Sequence, residues 1–154
     1  GWVTAVAVTQ TDRFKAASAN DPVIDNALSA AIAYRGARTG NFWLHAGFAG
    51  ALPGDADARL PNPDPSRVNT PILLRFGLAE QKPFPSQFYV SGVPYFAYLH
   101  ARCRPVEMIL HPEEGHGVMD GETWREYVER DLRWFDYWIK REGESPLKPW
   151  RCDS

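Results

Sequence analysis

Apolar residues in this chain fall into short, densely filled stretches early on and into one long, one-sided stretch near the carboxyl end. Residues 2–8, WVTAVAV, are apolar on nearly all sides and run into the polar TQTDR, which predicts a buried helix met after its start. FKAASAN, residues 14–20, is short and stops at Asp21-Pro22, where proline restricts the residue before it to extended geometry, so it predicts a short buried strand. Thr70 to Phe76 is a continuous apolar run with proline near its start and glycine at its exit, the pattern of a strand covered on both faces. Val93 to Arg102 predicts a helix and Val106 to His111 the next strand, with enough chain between the strands for a crossover.

The last helix has the clearest periodicity. Trp124, Tyr127, Val128, Leu132, Phe135, Trp138 and Ile139 recur at steps of three and four, while Arg125, Glu126, Glu129, Arg130, Arg133 and Lys140 fill the other side. Thr123 and Glu126 have capping-box spacing, which places the start near residue 123, and the aromatic stripe is expected in the core. Val23 to Tyr34 has helical character, and Gly47 to Arg67 is rich in proline and glycine and reads as loop. Strands alternating with helices imply an α/β fold with a parallel sheet, although three strands make a thin one.

Composition narrows the function classes. A chain of 154 residues with 44% hydrophobic content can bury one core, so residues 1–154 are expected to form one domain or a portion of one. A net charge of -2 with scattered basic residues excludes a polyanion-binding surface, hence nucleic acid. No apolar run approaches the roughly 18 residues of a membrane span, and the amino end lacks leader character, so the cytoplasm is the default expectation. The two cysteines, Cys103 and Cys152, are too few for a disulfide scaffold and the wrong number for a zinc site, and Cys103 reads as a buried thiol.

Candidate chemistry centres on HPEEGHGV, residues 111–118, directly after the Val106–Leu110 strand. His116 lies between two glycines that allow a sharp turn and leave the imidazole unobstructed, at the carboxyl end of the sheet where open α/β folds carry their sites. An imidazole there can serve a serine nucleophile as base and then acid. An exposed loop histidine is the competing reading. Glu80, three residues after Gly77, follows the preceding strand and could orient that imidazole. A metal set of His111, Glu113, Glu114 and His116 is disfavoured, because neighbours on one short loop rarely converge on an ion. Ser18, Ser29, Ser66, Ser86 and Ser91 all lack the GxSxG context of a nucleophile elbow.

Four segments in order carry a resemblance: TAVAVTQTDRFKAA (4–17), TPILLRFG (70–77), PVEMILHPEEGHG (105–117) and LRWFDYWIK (132–140). They resemble the stretch after the nucleophile elbow, the strand leading to the acid, the histidine segment and the closing helix of the prolyl oligopeptidase family of serine peptidases, which includes dipeptidyl and acylaminoacyl peptidases. The resemblance implies the carboxyl-terminal half of an α/β-hydrolase sheet with flanking helices. It places His116 on the catalytic histidine and Glu80 on a position usually held by aspartate. Arg75 and Phe76 also depart from the usual apolar residue and histidine. If Gly1 and Trp2 match the second glycine and aromatic residue after the elbow, the nucleophilic serine lies three positions before Gly1.

The expected function is therefore a serine peptidase acting through an acyl-enzyme, with these 154 residues alone inactive. The expected partners are a peptide or ester substrate and an upstream segment or another chain that completes the sheet. No cofactor, metal, nucleic acid or membrane is expected. A non-catalytic binding or assembly element derived from a hydrolase, and a small esterase, are the alternatives.

Overall fold

A parallel sheet orders the chain, and its middle strand explains the arrangement of everything around it. The structure is a computed structural model, and it describes residues 1–24, 62–79, 92–117 and 121–147. Within them the elements run α1 (Trp2–Gln10), β1 (Ala17–Asn20), a 3-10 turn at Pro65–Arg67, β2 (Ile72–Gly77), α2 (Val93–Ala101), β3 (Val106–His111) and α3 (Gly121–Phe135). A π turn, Asp136–Lys140, extends α3. The expected helix from Val23, apart from Val23 and Ile24 themselves, and the loop from Gly47 up to residue 61 lie outside the described residues.

The strand order is β1-β2-β3, with Ala17 beside Ile72 and Ile72 beside Val106, all parallel. All six residues of β2 are buried, as a middle parallel strand covered on both faces requires. Alternation sorts the side chains into two cores. Ala17, Ala19, Ile72, Leu74, Phe76 and Val106 join Val8 of α1 and Tyr95 and Leu99 of α2 on one face. On the other face, Ser18, Arg75 and His111 meet α3 through Tyr127 and Asp131. Helices thus cover both faces, and the parallel α/β architecture expected from the sequence is the observed one, consistent with a partial α/β-hydrolase fold.

Arg75 interrupts the apolar run of β2 and is fully buried. Its Nη1 lies 2.9 Å from Asp131 Oδ1, off the hydrogen-bonding direction, and donates to Ser18 Oγ at 3.1 Å. Nη2 donates to the Tyr127 carbonyl at 3.0 Å, and the guanidinium carbon sits 3.7 Å from the centre of the Tyr127 ring. One side chain therefore fastens β1, β2 and α3 together.

Four expectations need correction. The strand expected from Phe14 begins only at Ala17, and Phe14 is exposed. Helix α3 already runs from Gly121, so Thr123 lies inside it rather than at a capping position. Its expected apolar stripe is only partly core: Tyr127 is buried and Phe135 and Trp138 are half-buried, whereas Trp124, Val128, Leu132 and Ile139 are exposed, and the fully buried Trp134 lies outside the expected stripe. The contact with a three-stranded sheet is narrower than the stripe. Cys103 is also not a buried thiol. It is exposed, in the turn after α2, and disulfide-bonded; Cys152, the other cysteine, lies outside the described residues. Among the described residues, no helix is long and apolar enough to cross a membrane.

Removing the guanidinium leaves Asp131 and Ser18 without their buried partner. Arg75→Ala is expected to lower unfolding free energy by about 3–5 kcal/mol, measured by urea titration, and Arg75→Lys should recover only part because it cannot fork and stack as arginine does.

Candidate active site at the carboxyl edge of the sheet

The carboxyl ends of all three described strands meet at one edge, and the amino terminus of α1 joins them there. Asp21 follows β1 directly, and its Oδ1 accepts a hydrogen bond from the Gly77 N–H at 3.1 Å. Gly77 ends β2. The next two residues are tied to the histidine loop: Leu78 N–H donates to the His111 carbonyl at 3.0 Å and Ala79 N–H to the Glu114 carbonyl at 2.9 Å. The loop also closes on itself, with Glu114 N–H donating to the His111 carbonyl at 3.3 Å.

Gly77 is the glycine this edge requires. A Cβ there would stand 1.9 Å from the Gly115 carbonyl oxygen and 2.4 Å from that of Glu114. Gly115 and Gly117, expected to permit a sharp turn, show no left-handed backbone and have nothing within 4 Å of a built Cβ. Their contribution is open space around His116, which is exposed. The opposite end of the edge is equally tight. A Cβ on Gly1 would lie 2.1 Å from the Asn20 carbonyl oxygen and 2.7 Å from Pro22 Cα.

His116 thus stands exposed in the loop after β3, at the carboxyl edge of the sheet. Glu80 lies outside the described residues, but its neighbour Ala79 is bonded to Glu114, two positions before His116. Ser18 is on β1 and accepts from Arg75, and Ser66 is in the 3-10 turn hydrogen-bonded to Asp64, so both have structural duties. Ser29, Ser86 and Ser91 lie outside the described residues. Among the described residues, no group of three or more His, Cys, Asp or Glu side chains is placed to hold a metal ion.

Two residues of this edge escape a sequence reading. Asp21 is buried, and its only signal is an aspartate before proline at a strand end. His111 is buried at the base of the loop, stacked on Tyr127 with ring centres 5.9 Å apart, and Tyr127 in turn stacks on Trp124. Burial lowers the His111 pKa from 6.5; the nearby Glu126 and Glu114 oppose the shift, while Arg75 and Arg130 add to it.

Two outcomes follow from this geometry. Gly77→Ala should displace the histidine loop and cost about 1–3 kcal/mol by overpacking, seen as faster amide exchange at Ala79. Because the folded His111 pKa lies below its unfolded value of 6.5, the unfolded chain binds the proton more readily. Stability contributed by neutral His111 is complete above pH 6.5 and declines as the pH falls toward the folded pKa. His111→Phe should flatten that part of the curve in denaturant titrations over this range.

Comparison with known proteins agrees with this layout. The family model described as the prolyl oligopeptidase family matches residues 1–142. A curated relative, the lasso peptide isopeptidase AtxE2 of Asticcacaulis excentricus, is 28% identical over 144 residues, covering 91% of this chain. The chain spans 18% of that relative's length. With the match running from α1 through the histidine loop to α3, the chain belongs to the prolyl oligopeptidase family.

Proposed function

We propose that this chain supplies the histidine and the acid of a serine peptidase, with His116 as general base and acid and Glu80 as the carboxylate that orients it. The observation that carries the proposal is the seam between the β2 exit and the histidine loop. The Ala79–Glu114 and Leu78–His111 hydrogen bonds bring the residue before Glu80 beside the loop that holds His116. The nucleophilic serine is assigned to a segment upstream of Gly1, where the packing of Gly1 against Asn20 and Pro22 sets the start of α1 at the same edge.

In the proposed reaction, the serine hydroxyl attacks the substrate carbonyl as His116 takes its proton, and a tetrahedral adduct forms. The adduct collapses as His116 returns the proton to the leaving amine, giving an acyl-enzyme. Water then attacks the ester by the same sequence, releasing the acid and restoring the serine. Glu80 accepts the hydrogen bond of the other imidazole nitrogen and stabilises the imidazolium. The relative's activity makes isopeptide bonds, amides formed through a side chain, a substrate class to assay beside ordinary peptides.

The exposed apolar face of α3 and the β1 edge, unpaired among the described residues, support an upstream segment or another chain as the partner that completes the sheet. The same surfaces favour the second reading, a non-catalytic assembly element. The disulfide at Cys103 supports an oxidising compartment in place of the cytoplasmic default.

The test uses the protein with the residues upstream of Gly1 and a fluorophosphonate probe. Labelling and peptide turnover are expected, and His116→Ala should lower kcat/KM by about a hundredfold to ten-thousandfold, with Glu80→Ala also strongly impaired. Residues 1–154 alone should not turn over an activated ester. Ester turnover by that chain that survives both alanine substitutions would overturn the assignment, and absence of labelling in the longer protein would favour the assembly reading.

A further inference from the structure

Asp21 has an environment that neither strand formation nor core packing explains. It precedes Pro22, a setting that pushes a residue toward extended backbone, yet its φ is 40°, in the left-handed region. Aspartate tolerates that region better than most residues, but there it is still uncommon. The residue is only 4% exposed. A buried carboxylate on a strained backbone persists only where its surroundings hold it, and such sites gather where geometry serves function.

What holds Asp21 also shows what it does. Its N–H donates to the Arg75 carbonyl at 2.8 Å, which extends the β1–β2 ladder by one step past β1. The chain then bends into Pro22, and the Asp21 carboxylate accepts the next donor, the Gly77 N–H. A side chain has replaced the main chain as the last rung of the ladder. The left-handed φ makes the bend that lets this happen.

The bend touches both legs of the site. On one side, Asn20 and Pro22 press on Gly1 at the amino terminus of α1. On the other, Gly77 is the residue from which Leu78 and Ala79 lead on toward Glu80 in sequence, and it rests on the carbonyls of Glu114 and Gly115 beside His116. We infer that Asp21 is a positioning residue: through Gly77 it fixes the β2 exit at Leu78 and Ala79, the segment that leads to the proposed acid, and with it the histidine loop, against the amino terminus of α1. The inference rests on the serine-peptidase reading of Glu80 and His116. Asp21 touches no reacting atom; it acts through the Gly77 amide.

Two substitutions in the protein with its upstream residues separate strain from hydrogen bonding. Asp21→Gly accepts the left-handed backbone and removes the acceptor, and Asp21→Asn keeps both the backbone tolerance and an acceptor oxygen. Asp21→Gly is expected to fold, to exchange the Gly77 amide faster, and to lose about ten- to a hundredfold in kcat with KM unchanged. Because a displaced Glu80 stabilises the imidazolium less, the acid limb of its kcat/KM profile should move to lower pH. Asp21→Asn should retain most of the rate, the wild-type acid limb and slow Gly77 exchange.

A folded Asp21→Gly with unchanged kcat and pH profile overturns the inference, as does a loss that Asp21→Asn fails to restore. Gly77 exchange reads the hydrogen bond whether or not the protein is a peptidase. Faster exchange in Asp21→Gly together with undiminished turnover in His116→Ala would remove the catalytic reading while leaving the structural link intact.

Discussion

A guanidinium without access to water is the constraint on which the rest of this structure depends. Arg75 stands in the middle strand with both sheet neighbours and a helix in reach, and a charge so placed is tolerated only when it is paired and its donors are used. Ser18, Asp131, the Tyr127 carbonyl and the Tyr127 ring meet most of that demand from β1 and α3, and Nε alone of the guanidinium nitrogens is left without a hydrogen-bond partner among the described residues. An apolar residue at this position would let α3 slide over the sheet. A forked donor fixes its depth and rotation together, and the ring it holds, that of Tyr127, is the one on which His111 stacks at the base of the histidine loop.

The carboxyl edge is assembled by backbone more than by side chains. Leu78 and Ala79 bond to the histidine loop through main-chain groups, and Gly77 lies too close to that loop for any side chain. Backbone contacts of this kind are insensitive to the identity of the residues that do chemistry, so the same frame can carry aspartate or glutamate after β2. They also leave the position of Glu80 dependent on the exit of β2, whose last amide is taken by Asp21.

The sequence made some of this legible and hid the rest for identifiable reasons. The run 72–77 is apolar enough to announce a doubly covered strand, and 106–111 and 93–101 fall where pattern places them. Arg75 within that run says nothing about a partner 56 positions later, because ion pairing across a sheet leaves no local spacing. Helical periodicity marks one side of α3 as apolar without showing how much of it the sheet can cover, so Trp124, Leu132 and Ile139 were expected inside and stand outside. The glycines flanking His116 draw the eye, but the steric requirement lies at Gly77, which in sequence reads as an ordinary strand terminator. The exposed position of His116 after β3 was legible, while the contacts of Asp21 and His111 across the edge left no signal in the sequence.

The two histidines of the loop show how position divides labour between identical side chains. His111 is buried on Tyr127, where desolvation disfavours its protonated form against the pull of Glu126, and it packs there as an aromatic wedge. His116, five residues on, is exposed with open space on both sides. A proton shuttle must gain and lose charge within each cycle, which a desolvated site resists more than an exposed one. Burial on Tyr127 thus makes the first histidine part of the wall that holds the loop against α3, and exposure sets the second apart from that wall, which under the proposed reading leaves proton transfer to His116.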